Sequence, residues 1–321
     1  MARVLIDADP LVYSNGFAAE QRVYIVSWLE VDPDHPDDPD KDYLHQHEFH
    51  YVEEIADWRF DQGMDDKAYD ELFITDKIAL PEPLSHCLHL VRSSIENIEL
   101  AVAGALAEVG EEVETLELYL SGSVNFRNDI ATIRPYKGNR DPSAKPYWYK
   151  EIRDYLVNTW GAKIVEPWEA DDWVSIQQTN DPDNTIICTI DKDLNMVPGF
   201  HYNYRTKEFH EVSWSEARAA FYRQLLTGDT TDNIPGCYRV GKATAAKLIT
   251  EDMSEEEMYD VVLKEYQKSI DKYGDKTGYA HMTAEAALLE NARLLWMLEY
   301  EGQLWTPPGQ PDEEWKVMSD D

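Results

Sequence analysis

Short apolar runs, several of them closed by an acid, organise the first two thirds of the chain. RVLIDAD (3–9) predicts a buried strand ending at Asp7. QRVYIVSWLEV (21–31) predicts a strand and HEFHYV (47–52) its hairpin return, across the Pro-broken polar loop 32–42. EEIADWRFDQG (53–63) and the stretch from Leu84 to Leu106 have helical spacing. LELYLSG (116–122), AKIVEP (162–167) and NTIICTID (184–191) predict further core strands, and FHYNY (200–204) a fifth. Between them, YWYKEIRDYLVNTWG (147–161) reads as an amphipathic helix closed by Gly161, and EADDWVSIQQTN (169–180) as a helix with acids in its first turn.

SWSEARAAFYRQLLTGD (213–229) opens with a capping signal, Ser followed by Glu. From there the pattern is helical, ending with TAEAALLENARLLWMLEY (283–300) and a Pro-rich tail that is expected to fray. Strands alternating with helices predict a doubly wound parallel α/β domain. Its bounds are 1–214, with an acidic insertion over about 20–115, and a helical lobe follows over 215–321.

Composition narrows the class. A chain of 321 residues that is 43% hydrophobic and 12% aromatic can bury a full core. Three distant cysteines (Cys87, Cys188, Cys237) form no disulfide or zinc pattern and suit a reducing cytoplasm. Neither a signal peptide nor a membrane-length apolar run is present, so a membrane is not an expected partner. The net charge of −34 opposes long-range attraction to nucleic acid. That charge is concentrated in residues 30–76 and after Glu251, whereas 127–150 is a basic island carrying Arg127, Arg134, Lys137, Arg140, Lys145 and Lys150.

The acids carry the chemistry. Asp7 closes the first strand, Glu169, Asp171 and Asp172 open a helix, Asp191 and Asp193 follow a buried strand, and Asp229 and Asp232 lie in GDTTDN. Singly, each cluster reads as a turn or a cap. Together they put carboxylates at the carboxyl edge of one parallel sheet. Close carboxylates repel unless protonated or bridged by a cation, and hard oxygen donors suit Mg²⁺ or Mn²⁺. A pair of such ions can activate water against a phosphodiester. YKGNR (136–140) presents Lys137 and Arg140 to a phosphate, with Arg127 packing under that loop or touching phosphate itself. GCYRVGKATAAKLI (236–249) is helix-turn-helix-like, with Gly236 and Gly241 permitting close backbone approach and Lys242 and Thr244 adding contacts.

In this ordered set the chain resembles the 5′-nuclease superfamily: flap endonucleases, the 5′-nuclease domains of bacterial DNA polymerases, and phage 5′→3′ exonucleases. The residues that carry the resemblance are LIDADPLVY (5–13), NFRNDIATIRPYKGNR (125–140), EADD (169–172), TIDKDL (189–194) and LTGDTTDNIPGCYRVGKATAAKLI (226–249), with NARLLWM (291–297) similar to the phage branch. The resemblance covers most of the chain but says little about residues 30–80. It implies a PIN-like, mostly parallel α/β fold, two Mg²⁺ (with Mn²⁺ as substitute), and a helix-3-turn-helix element that holds K⁺. The eight acids named above would be metal-site acids, and Lys137 and Arg140 the basic gateway pair. Arg127, Arg134, Arg239, Gly241, Lys242 and Thr244 would meet DNA.

The implied activity is 5′→3′ exonuclease cleavage of DNA from 5′ ends, with flap cleavage or a catalytically weak DNA-binding role as alternatives. An RNA–DNA hybrid is a second implied substrate. Protein partners are not indicated, and the compartment would be the cytoplasm, that of the host if the chain is phage-encoded. Two departures stand out: Ser121 and Gly122 occupy the strand end where many members carry Asp, and the insertion is long and acidic.

Overall fold

A computed structural model describes residues 1–36, 38, 41–141 and 144–316. Parts of the expected polar loop (37, 39, 40), Pro142 of the basic island, and the tail at 317–321 lie outside the described residues. In chain order the elements are β1 (Ala2–Asp7), α1 (Asp9–Ala18), β2 (Glu20–Glu30), β3 (Tyr43–Phe49), α2 (Val52–Asp61), α3 (Asp66–Leu72), β4 (Ile74–Pro81), α4 (Leu84–Glu108), β5 (Val113–Ser121) and α5 (Arg127–Ile130). There follow α6 (Tyr149–Trp160), β6 (Lys163–Val165), α7 (Ala170–Asn180), β7 (Thr185–Cys188), β8 (Gly199–Asn203), β9 (Glu208–Val212), α8 (Trp214–Thr227), α9 (Lys242–Leu248), α10 (Glu255–Tyr273) and α11 (Ala284–Leu295), besides short turns and two-residue ribbons.

The contacts divide the chain into two compact units. The first comprises Met1–Val12, Arg92–Lys145 and Arg153–Asp321. Its sheet has the order β6-β5-β1-β7-β8-β9. The first five strands are mutually parallel and β9 runs antiparallel at the edge, so the fold is the expected mostly parallel α/β type. Val4, Leu5 and Ile6 of the central β1 are fully buried, which is why its sequence is an unbroken apolar run. Parallel pairing brings the ends of β1, β5 and β7 to one edge: Asp7 lies opposite Tyr119, and Ile6 opposite Cys188.

The division at residue 214 is not where the contacts part. One apolar core runs from Leu5 and Tyr119 in the sheet to Phe221, Tyr266 and Leu288 in α8, α10 and α11. The capping signal before α8 is realised: Ser213 Oγ accepts from the Glu216 amide, and Glu216 Oε2 accepts from the Ser213 amide at 2.8 Å. Strand β9 was not expected, because EFHEV has three charged or His positions and only Val212 is buried. Helix α11 stops at Leu295 instead of running to 300, because Trp296 turns extended and its indole donates to Gln303 at 2.9 Å.

The second unit comprises Tyr13–Val91 and Pro146–Ile152. It holds the antiparallel sheet β3-β2-β4. One face packs on α2 and α3 through Val26, Phe49, Ile55 and Tyr69, with Trp28, Trp58 and Phe73 around them. The hairpin return begins earlier than expected, at Tyr43, because the register pairs Tyr43 with Glu30 and Phe49 with Tyr24. Helix α3 and strand β4 were not expected. DKAYDELFITDKIALP has neither a turn signal between them nor clean alternation.

Candidate metal and phosphate site

The carboxyl edge of the first unit's sheet gathers the acids. Asp7 ends β1 and is buried. Glu169 is the N-cap of α7, so Asp171 and Asp172 fall in its first turn, where the helix dipole favours anions. The Glu169 amide donates to Asp172 Oδ2 at 3.1 Å, which fixes the start of the helix. Glu169, Asp171 and Asp172 each offer a carboxylate oxygen within 4.8 Å of the others, a spacing able to hold a metal ion. Asp191 and Asp193 follow β7, and the Asp193 amide donates to Asp191 Oδ1 at 2.9 Å. Asp229 lies just beyond α8, where its Oδ1 accepts from the Thr231 amide at 2.7 Å.

A polar cavity of about 160 Å³ brings Asp171, Asp191, Asp193, Asp229 and Asp232 together with Lys137 and Arg140. A larger apolar cavity of about 440 Å³ beside Leu106, Phe200 and Phe209 has none of the expected site residues in its lining.

Ionisation reflects this crowding. Burial, then the charges of Asp9 and Asp191, pushes the Asp7 carboxyl well above the usual carboxylate range. Burial, then Glu169 and Asp172, does the same to Asp171. Burial followed by Asp191 also raises Asp193. Glu169 goes the other way: burial works to raise it, but Lys137 and Arg127 outweigh that and hold it at about 2. The donors are thus hard oxygens, and two of the most crowded prefer a proton unless a cation is supplied. Their chemistry fits a divalent ion.

The basic pair is anchored to these acids. Lys137 Nζ donates to Glu169 Oε1 and lies 3.8 Å from Asp232 Oδ2. The Arg140 guanidinium pairs with Asp232 Oδ1 at 2.5 Å. Between the two loops, the Lys137 amide donates to the Asp232 carbonyl at 3.0 Å and Asn139 Nδ2 to the Thr230 carbonyl at 2.6 Å. The loop at 135–140 is thereby clasped to the turn at 228–233. That turn depends on two glycines: a Cβ on Gly228, whose φ is +68°, would sit 2.2 Å from the Gly236 amide nitrogen.

Arg127, expected to pack under the basic loop or to touch phosphate, is 1% exposed, with its guanidinium 5.9 Å from the centre of the Tyr136 ring of that loop. Its Nη2 donates to Asp172 Oδ1 at 2.7 Å, and Nη1 meets Asp172 Oδ2 and, at 3.2 Å, Glu169 Oε2. Its remaining donors reach the carbonyls of Leu294 and Trp296 at the end of α11, both at 2.9 Å. All of this guanidinium is engaged inside the protein, so it does not reach nucleic acid. Both oxygens of Asp172 are correspondingly engaged by Arg127.

The remaining expected contacts lie apart from the cavity. Arg134 is exposed, with its guanidinium against Gly278. Gly241 is the N-cap of α9, and Arg239, Lys242 and Thr244 are exposed around that turn. Arg239 adopts a left-handed backbone, φ 64°.

Several neighbours of the acids escaped the sequence. Tyr136 Oη reaches Glu169 Oε2 at 2.7 Å and Asp232 Oδ2 at 2.9 Å; its place beside Lys137 was the available signal. Lys192 Nζ lies 2.6 Å from Asp193 Oδ1 and 3.3 Å from Asp229 Oδ2. Gln224 Nε2 donates to the same two carboxylates, at 3.1 and 3.0 Å, from a helix position with no signal of its own. Asp9 begins α1. Its carboxylate accepts from the Ser121 amide at 3.0 Å and pairs with Arg153 at 3.1 Å, so an acid does stand beside the strand end that lacks one.

No family model and no curated protein sequence matches the chain. Among solved structures, it is similar to T5 5′-exonuclease with divalent zinc ions bound, at 18% identity and a TM-score of 0.46, over 63% of this chain and 80% of that one. It is also similar to the bacteriophage T5 D15 flap endonuclease in a pseudo-enzyme–product complex with DNA and metal ions, at 16% identity and a TM-score of 0.40, over 61% and 78% of the two chains. A third similar structure is the T5 D15 protein co-crystallised with metal ions, at 15% identity and a TM-score of 0.44, again over 63% of this chain and 80% of that one.

Proposed function

We propose that the protein is a divalent-metal-dependent 5′ nuclease that hydrolyses DNA phosphodiesters, acting 5′→3′ from ends. The observation that carries this reading is the single cavity where acids from α7, from the segment after β7 and from the 228–233 turn face Lys137 and Arg140. A site that cuts phosphodiesters needs anionic donors for cations and cationic donors for phosphate within a few ångströms of each other.

Asp7, Glu169, Asp171, Asp191, Asp193, Asp229 and Asp232 would hold two Mg²⁺ or Mn²⁺ ions, with Asp172 kept in place by Arg127. When bound, those ions supply an activated water and stabilisation of the leaving oxygen. Lys137 and Arg140 exchange their carboxylate partners for the scissile phosphate and offset its developing charge. Tyr136 keeps Glu169 and Asp232 apart at fixed distance. Away from the cavity, Arg134, Arg239, Lys242 and Thr244 grip the backbone locally, and the Gly241 turn allows close approach. A K⁺ held by carbonyls near that turn and an RNA–DNA hybrid as second substrate belong to the same reading.

The test is cleavage of a 5′-labelled flap, a nick and a blunt duplex side by side, with and without Mg²⁺. Mg²⁺-dependent release of short products from nicks and blunt ends is expected. Preferential cutting of the flap would move the assignment to a flap endonuclease. Intact binding with no release from any substrate would overturn the enzyme.

A further inference from the structure

The second unit's sheet exposes several apolar side chains on one face. On its other face, α2 and α3 cover Val26 and Phe49, with Tyr24 and Trp28 packed beside them. An antiparallel sheet with one solvated face ordinarily turns polar residues to that side. Here the register places Leu44 opposite Leu29 and Ile74 opposite Ser27 on the face away from α2 and α3, where Ile78 lies opposite the buried Val23. Leu29, Leu44 and Ile74 are 65%, 62% and 68% exposed, and Ile78 and Leu80 are exposed as well. Clusters of exposed apolar side chains commonly mark contact sites.

Charge identifies the occupant. In the middle row of the face, Ile25 is flanked by Glu48 on one side and Asp76 on the other. Between Tyr13 and Val91 the chain has nineteen acidic and five basic side chains. A second copy would set Glu48 and Asp76 against the same acids and bring another net charge of −34. Nucleic acid is excluded by sign. A sheet face, unlike a sheet edge, is covered by a helix or another sheet.

We propose that the outer face of β3-β2-β4 docks a protein partner through an amphipathic helix whose apolar strip is bordered by Lys or Arg. Apolar contact with Leu29, Leu44 and Ile74 supplies affinity, and the acids set orientation and exclude anionic surfaces.

The test uses the full chain and two labelled synthetic helical peptides, one of Leu and Lys and one of Leu and Glu, read by fluorescence anisotropy. The Leu/Lys peptide is expected to bind, more weakly as salt rises, and the Leu/Glu peptide is not. The double substitution Leu29→Ser/Leu44→Ser is expected to weaken binding by about tenfold or more. Near-UV circular dichroism of the Trp28–Trp58 cluster reports whether that variant keeps its fold, and Ile74→Ser alone provides a second, independent loss. Equal binding by wild type and both variants overturns the proposal. So does a concentration-dependent dimer in sedimentation that Leu29→Ser/Leu44→Ser dissolves, because the occupant is then a second copy.

Discussion

Arg127 grips Asp172 through both carboxylate oxygens while fully buried, and the same guanidinium holds the two carbonyls that end α11. A buried cation with five engaged donors is a poor candidate for phosphate and a strong one for fixing the geometry of its neighbours. Arg127→Ala leaves Asp172 buried without its cationic partner. We expect a loss of about 3–5 kcal/mol, measured by urea denaturation of the metal-free protein.

Asp171→Asn removes a carboxylate whose ionisation is opposed by burial and by Glu169 and Asp172. The variant should lose Mg²⁺-dependent cleavage, yet melt no lower than wild type without metal, because a repulsive charge has gone. Nuclease assay and thermal melts in chelator check both halves. Wild-type turnover in the variant would rule Asp171 out as a ligand.

Lys137→Ala deletes one of the cations facing the acids. By analogy with removing a single charge-stabilising donor, the barrier should rise by about 2–4 kcal/mol. Single-turnover rates at saturating DNA measure it, and an unchanged rate would make the loop a bystander.

The shifted acids fix the sign of a pH effect. Asp7 and Asp171 titrate above the ordinary range, so they must shed protons before a cation binds, and affinity should fall as pH falls through that raised range. Mg²⁺ should therefore raise the melting temperature more at pH 8 than at pH 5. Glu169 contributes oppositely to the metal-free fold. Its carboxyl sits at about 2 against an ordinary 4.5, so its stabilisation is complete above the ordinary value and is lost as pH drops toward 2.

Gly228→Ala places a methyl against the Gly236 amide at a positive φ. The turn carrying Asp229 and Asp232 must shift, and a destabilisation of roughly 1–3 kcal/mol is expected in denaturant melts. Metal affinity, measured by calorimetry, should fall with it.

Much of this was legible from the sequence because it lives in local patterns. The strand end at Asp7, the acid Asp191 just beyond β7, the capped start of α8 and the acids opening α7 are all signalled within a few residues of themselves. What was hidden depends on distant partners. NFRND leaves open whether Arg127 packs under the loop or meets phosphate, and nothing in it points to the carbonyls of Leu294 and Trp296 that hold it. Gln224 is one polar residue of a helix, and only the fold places its amide between Asp193 and Asp229. Strand β4 went unseen because every residue but its last is exposed, so neither side carries a burial pattern to read.

The tie from Arg127 to the end of α11 bears on how this chain can be divided. A fragment ending at residue 214 would keep every strand of the sheet and six of the eight acids, yet it would strand a buried guanidinium with two donors facing nothing. The acids of the sheet edge and the last long helix form one inheritance unit: a change that shortens or swaps the C-terminal third is felt first at Asp172, far away in sequence. Recombination, truncation or domain grafting in this protein has to move both ends of that tie together.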